Sequence, residues 1–194
     1  MKKKLVLVDT PINSKQLLSL LQKTPESHKY TRPAKGGGSW DYVTGVYVKK
    51  TLNYVFGWLW SFDIISIEEK HGQVVCRGKL TINKSDGSPL MWKMDIGRAD
   101  IKYKTQYKDG VKTTSDITLD YGNDEKASAT DCLKRCAFQL GIASDIYGKN
   151  EFKEISQSDV NEIMGELEKP KKEVTQVTKR NIDITSLREN NEKR

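Results

Sequence analysis

One stretch restricts the fold more than any other. From Asn123 to Gly141 the chain reads NDEKASATDCLKRCAFQLG, in which Ala129, Cys132, Leu133, Cys136, Ala137 and Leu140 recur at three- and four-residue spacing. That period draws one apolar stripe along a helix, and the stripe has to lie on a core. Asn123 or Asp124 is placed to cap the N-terminus, Asp124 and Glu125 suit its positive end, and Gly141 supplies a stop. Away from the stripe, Lys134 and Arg135 form an adjacent basic pair. Two cations near a helix C-terminus complement the dipole by about 0.3–1 kcal/mol with no ligand present, or they hold an anion. The helix alone does not choose between these.

Charge adds to the second reading. The 194 residues hold 33 Lys and Arg against 26 Asp and Glu, a formal net charge of +7, which favours a polyanionic partner, nucleic acid before membrane. No apolar run approaches a membrane span, and the start, MKKKLVLVD, carries only four apolar residues behind its basic cluster. These features predict a cytoplasmic protein that does not engage a membrane. Three cysteines with no CxxC argue against a disulfide framework, and with two histidines they offer too few ligands for zinc. Cys132 and Cys136, on the apolar stripe, are expected as core residues.

Ahead of the long helix, residues 12–23 predict a short amphipathic helix capped by Asn13 or Ser14. Then comes HKYTRPAKGGGSWDYV, where Lys29, Arg32 and Lys35 flank Tyr30 and precede Gly36, Gly37 and Gly38. A glycine run lets backbone approach a phosphate and leaves N–H groups free to bind it; a plain surface loop has the same composition. Ser39 is expected to cap a second helix running to about Asn53, with Val43, Val46, Tyr47 and Val55 towards the core and Gly57 ending it. The period then changes to two. Trp58, Trp60, Phe62 and Ile64, then Val74, Cys76, Leu80 and Ile82, then Trp92, Met94 and Ile96 predict three antiparallel strands sharing one apolar face. Turn signals fall at His71-Gly72 and at residues 85–88, next to Lys84.

Residues 98–119 differ: Arg98, Lys102, Lys104, Lys108 and Lys112 surround Tyr103 and Tyr107 about a turn at Asp109-Gly110. Cations interleaved with tyrosines suit a nucleic-acid surface, and equally a polar hairpin whose lysines guard an edge strand. After about Glu154 the composition shifts: Ser156 to Leu167 predicts one short helix, and beyond Glu168 the chain is polar and expected to be disordered. The organisation is therefore a domain over 1–154 and a helix with a charged tail over 155–194. Walker A, HExxH, GxSxG and GxGxxG are all absent from the sequence. Composition and spacing lead to an α+β nucleic-acid binder.

Two segments together extend this. HKYTRPAKGGGSWDYVTGVYVKKTLNYVFGWLWSFDI, followed after a β-meander by ASATDCLKRCAFQLGIASDIYG, resembles the Rad-fifty-two family of single-strand annealing proteins, in style closest to the compact phage Sak-type members. The resemblance covers roughly residues 12–152. It implies a β-β-β-α core with N-terminal helices, oligomerisation into a ring, and single-stranded DNA along a basic groove lined by Arg32, Lys134 and Arg135. Lys35 and Lys84 are weaker candidates, while Lys102, Lys104 and Lys108 rest on the residue pattern alone. Family members often carry a further basic residue where this chain has Phe138. Neither cofactor nor metal nor catalytic residue is implied. A single-strand-binding protein is the partner considered for the C-terminal tail. Two other readings stand beside annealing: a metal-dependent nuclease using Asp95, Asp100 and Asp120, and an accessory or host-interaction module without annealing activity.

Overall fold

The protein is described here by a computed structural model, in which residues 12–34, 36–148 and 156–168 are placed. The architecture is α+β. A three-stranded antiparallel sheet in the order β3-β4-β5 (Trp60–Lys70, Gln73–Asn83, Pro89–Asp100) packs against α3, Tyr121–Phe138. Before it come α1 (Ser14–Leu21), a single 3-10 turn at Glu26–His28, the hairpin β1-β2 (Tyr30–Pro33, Ser39–Tyr42) and α2 (Gly45–Phe56). A second hairpin, β6-β7 (Tyr103–Lys108, Val111–Thr118), separates the sheet from α3, and α4 (Ser144–Tyr147) and α5 (Gln157–Glu168) follow. The expected tail beyond Glu168 lies outside the described residues.

β4 is the central strand, and it buries Val74, Cys76, Leu80 and Ile82 in alternation, as its sequence predicts, with Thr81 buried as well from the opposite phase. The helix reaches this face because two glycines clear the way. Gly97 on β5 lies directly under α3: a Cβ there would overlap the Cys132 amide nitrogen and the Ser128 carbonyl oxygen. At Gly78, opposite Asp95 in the register, a Cβ would sit 2.5 Å from the Phe62 ring and 3.0 Å from Cys132 Sγ. The Cys132 thiol donates to Asp95 O at 3.1 Å, and Cys76, Cys132 and Cys136 are all fully buried. Burial pushes the Cys76 thiol up to about 11. The cysteines pack, as the stripe required.

Four expectations are corrected. Ser39 does not start a helix: the glycine run is the turn of the β1-β2 hairpin, with φ of 99°, 98° and 76° at Gly36, Gly37 and Gly38, so Ser39 is in β2. Thr44 caps α2 instead, its hydroxyl accepting from Tyr47 N at 3.2 Å, and this start turns Val46 out to solvent, 63% exposed. The shared apolar face does not include β5. Because Gly97 is the residue beneath the helix, alternation sends Trp92, Met94 and Ile96 to the uncovered face, each 45–57% exposed. On β3, Ile64 keeps phase with Trp60 and Phe62 but is 52% exposed; the register slips after it, so Ile65 is an extra residue, and Trp58 precedes the strand altogether and is 90% exposed. Finally α3 begins two residues before Asn123. Asp120 caps it, accepting from Asn123 N at 3.1 Å. Asp124 is buried instead and accepts from Lys102 N at 3.0 Å, tying the second hairpin to the helix.

Glycine substitution separates packing from propensity. Gly97→Ala forces α3 off the sheet and is expected to cost about 3 kcal/mol in denaturant unfolding. Gly165→Ala, in an open position of α5, is expected to be neutral or to stabilise by up to about 1 kcal/mol.

Candidate nucleic-acid interface

Three basic side chains from two elements share one electrostatic field. Arg32 comes from β1, where it pairs with Trp40 across the hairpin and lies over the Tyr42 ring, 5.8 Å from its centroid. Lys134 and Arg135 come from the last turns of α3. Burial pushes the Lys134 ammonium below the ordinary lysine range; the Asp131 charge opposes that shift, and the Arg32 and Arg135 charges add to it. Arg135 donates through Nε to Asp131 Oδ2 at 3.1 Å, which fixes its direction along the helix. The same carboxylate oxygen accepts from Arg98 N at 3.2 Å, so Asp131 is itself held by the edge of the sheet.

The hairpin that carries Arg32 is anchored from below by α4. Asp145 there accepts from the Thr24 hydroxyl at 2.6 Å and pairs with Lys29 Nζ at 3.2 Å, with its own side chain only 6% exposed. Lys29 also meets Glu26 at 2.8 Å, and the bond to Glu26 first, then Asp145, holds the ammonium pKa above the usual value against the effect of burial. Tyr147, also on α4, stands within the fields of Asp131, Arg135 and Arg32, and burial raises its phenol. Phe138 meets it edge-on at 6.0 Å between centroids. Phe138 is therefore packed within the chain, where a basic residue was the family expectation.

The remaining candidates are dispersed. Lys35 falls outside the described residues. Lys84 is on the β4-β5 turn, its backbone N–H donating to Ser88 O at 2.8 Å. Lys102 has a structural pairing, its ammonium 3.5 Å from the buried Asp124 carboxylate. Lys104 and Lys108 are exposed on β6, in a two-stranded sheet of their own. Sequence reasoning passed over Asp131, Asp145 and Tyr147. Only Asp131 left a local signal, four residues before Arg135 on one helix face.

The carboxylates considered for a nuclease have separate structural partners. Asp95 accepts from Gln139 Nε2 at 2.9 Å, Asp100 from Gln73 Nε2 at 2.7 Å, and Asp120 caps α3. Among the described residues no group of His, Cys, Asp and Glu is arranged to hold a metal ion. Nor, among them, is any helix long and apolar enough to cross a membrane.

The coupling around Lys134 has a sign that substitution reverses. Arg32→Ala removes a positive neighbour and is expected to raise the Lys134 pKa, whereas Asp131→Asn removes the opposing negative charge and is expected to lower it. Side-chain NMR titration of the lysine reads both shifts; equal values in the two variants would show that the groups are not coupled.

A comparison with curated proteins returns no match. The sequence does match a family profile described as Rad52/22 family double-strand break repair protein, over residues 13–164. That span runs from α1 into α5 and takes in the sheet, α3 and both hairpins. The chain therefore belongs to the Rad52/22 family of double-strand break repair proteins, whose members bind single-stranded DNA and anneal complementary strands.

Proposed function

We propose that this protein anneals complementary DNA strands without ATP, holding the first strand by its phosphates at Arg32, Lys134 and Arg135. The observation that carries the reading is the convergence of those cations: a half-buried ammonium lies in the field of two guanidiniums, an arrangement that a bound phosphate relieves. Phosphate contacts give affinity without reading sequence, and they leave the Watson–Crick edges of the strand free for a partner. Duplex formation itself supplies the free energy, so the missing Walker A motif is consistent with the activity. Lys84, Lys104 and Lys108 extend the basic surface in this reading, and Lys35 beside the glycine turn joins it. Lys102 contributes at most a second contact, since its ammonium already faces Asp124.

A ring of copies completes the proposal. Trp92, Met94 and Ile96 form an uncovered apolar row on β5, and the β6-β7 hairpin exposes Tyr107, Val111 and Ile117. A two-stranded hairpin alone is marginal in water, and apolar rows of this kind are normally covered by a partner. In a ring, a few cations per subunit become a tight site by multivalency. The resemblance to compact phage members supports a phage source, with action in the host cytoplasm. The tail after Glu168 is proposed to dock a single-strand-binding protein.

The test is annealing of two labelled complementary oligonucleotides with neither ATP nor metal, with mass in solution measured alongside. Fast annealing by a large oligomer is the expected outcome; a monomer that binds DNA without annealing it overturns the reading and favours an accessory module. Lys134→Ala with Arg135→Ala is expected to weaken single-strand binding and to reduce the slope of log K against log salt by about 0.7 per lost phosphate contact. Affinity in the unsubstituted protein is expected to fall as alkaline pH removes the Lys134 proton, at a lower pH than for an ordinary lysine.

A further inference from the structure

Annealing requires a place for a second strand, and a different part of the molecule has the chemistry for one. α2 contains no Asp or Glu, and Val46, Lys50 and Tyr54 recur along it at four-residue spacing, with Trp58 just beyond its Gly57 cap. None of them is spent on the core: Tyr54 is 57% and Trp58 90% exposed, and Lys49 and Lys50 are exposed beside them. Large aromatics so fully in water are uncommon on a folded surface without a partner. Lys49, one position round the helix, borders an open groove of about 390 Å³ that is lined also by Trp60, Phe62, Ile64 and Leu133.

We propose that the outer face of α2, formed by Lys50 and Tyr54 with Trp58 just past its cap, is a stacking platform for the incoming single strand of nucleic acid. This rests on the annealing reading above and assigns it a second site, separate from Arg32, Lys134 and Arg135. Lysine is depleted from protein–protein interface cores, whereas cations interleaved with rings are the composition of sequence-tolerant single-strand platforms. Residues four apart on a helix are separated by about 6 Å along its axis. At that spacing Lys50 can hold a backbone phosphate while Tyr54, one turn on, and Trp58, just past the cap, stack on bases. A strand held that way keeps its pairing edges open, which the search for complementarity demands.

The experiment pairs Tyr54→Ala and Trp58→Ala in one variant of the full chain. Both side chains are exposed, and unchanged thermal unfolding and unchanged mass in solution are expected. Binding of a first oligothymidine is expected to change less than about twofold. Two readouts carry the decision: the annealing rate, expected to fall about tenfold from the loss of stacking, and ultraviolet cross-linking. For the second, a 5-iodouracil oligonucleotide is added to wild-type protein saturated with unlabelled oligothymidine, and the label is expected on the peptide holding Tyr54 and Trp58. A fall in mass would make the face a contact between copies and overturn the proposal, and an equal loss of first-strand affinity would merge it with the first site and overturn it also. Unchanged annealing overturns it outright. The underlying reading fails separately, through wild-type protein that does not anneal.

Discussion

The fold depends on one close approach, that of a helix backbone to Gly97. Most helix–sheet contacts are made by side chains about 10 Å across the layer, which tolerate sliding and repacking. At Gly97 the backbone of α3 takes the space a methyl group would fill, and Gly78 opens a similar gap for Cys132 and the Phe62 ring. With the helix pinned there, its remaining residues have fixed directions: Cys132 and Cys136 go down between the elements, and Lys134 and Arg135 go up. The outward turn of Trp92, Met94 and Ile96 follows from the same constraint, because β5 gave its inner face to the glycine. One steric fact thus sets both the direction of Lys134 and Arg135 and the uncovered apolar row.

The second anchor is electrostatic. Asp145 is nearly out of water and holds Thr24 and Lys29 just before β1, so the hairpin bearing Arg32 starts from a fixed point. A buried carboxylate of this kind is costly unless every oxygen is engaged, and here both are. Its effect reaches Lys134, because the like charge of Arg32 lowers the affinity of that ammonium for its proton, with Asp131 opposing.

Much of this was legible in the residues. The α3 stripe, the buried alternation of β4, the Asn13 cap and the turn at Asp109-Gly110 follow from local periodicity and turn chemistry, and all appear as expected. The family pattern pointed to Arg32, Lys134 and Arg135, which the fold then brought into one field. What periodicity could not give was the direction of β5. Trp92, Met94 and Ile96 alternate as a core strand should, and only the position of α3 over Gly97 decides which face is inside. Likewise Ser39 is as good a cap as Thr44 by type; the hairpin, a contact between residues ten apart, decides between them. Tyr147 and Asp145 were invisible because their partners lie on β1, α3 and the segment before β1, far away in sequence.

The seam between α3 and the sheet also carries its own reporter. Cys76, Cys132 and Cys136 are the only cysteines in the chain, and all three are sealed inside that seam. A thiol reagent can reach them only when the helix lifts or the protein unfolds, since buried thiols are otherwise inert. The rate at which native protein is alkylated therefore clocks how often α3 parts from its sheet. DNA that fastens the helix would slow that clock, with no label added to the chain.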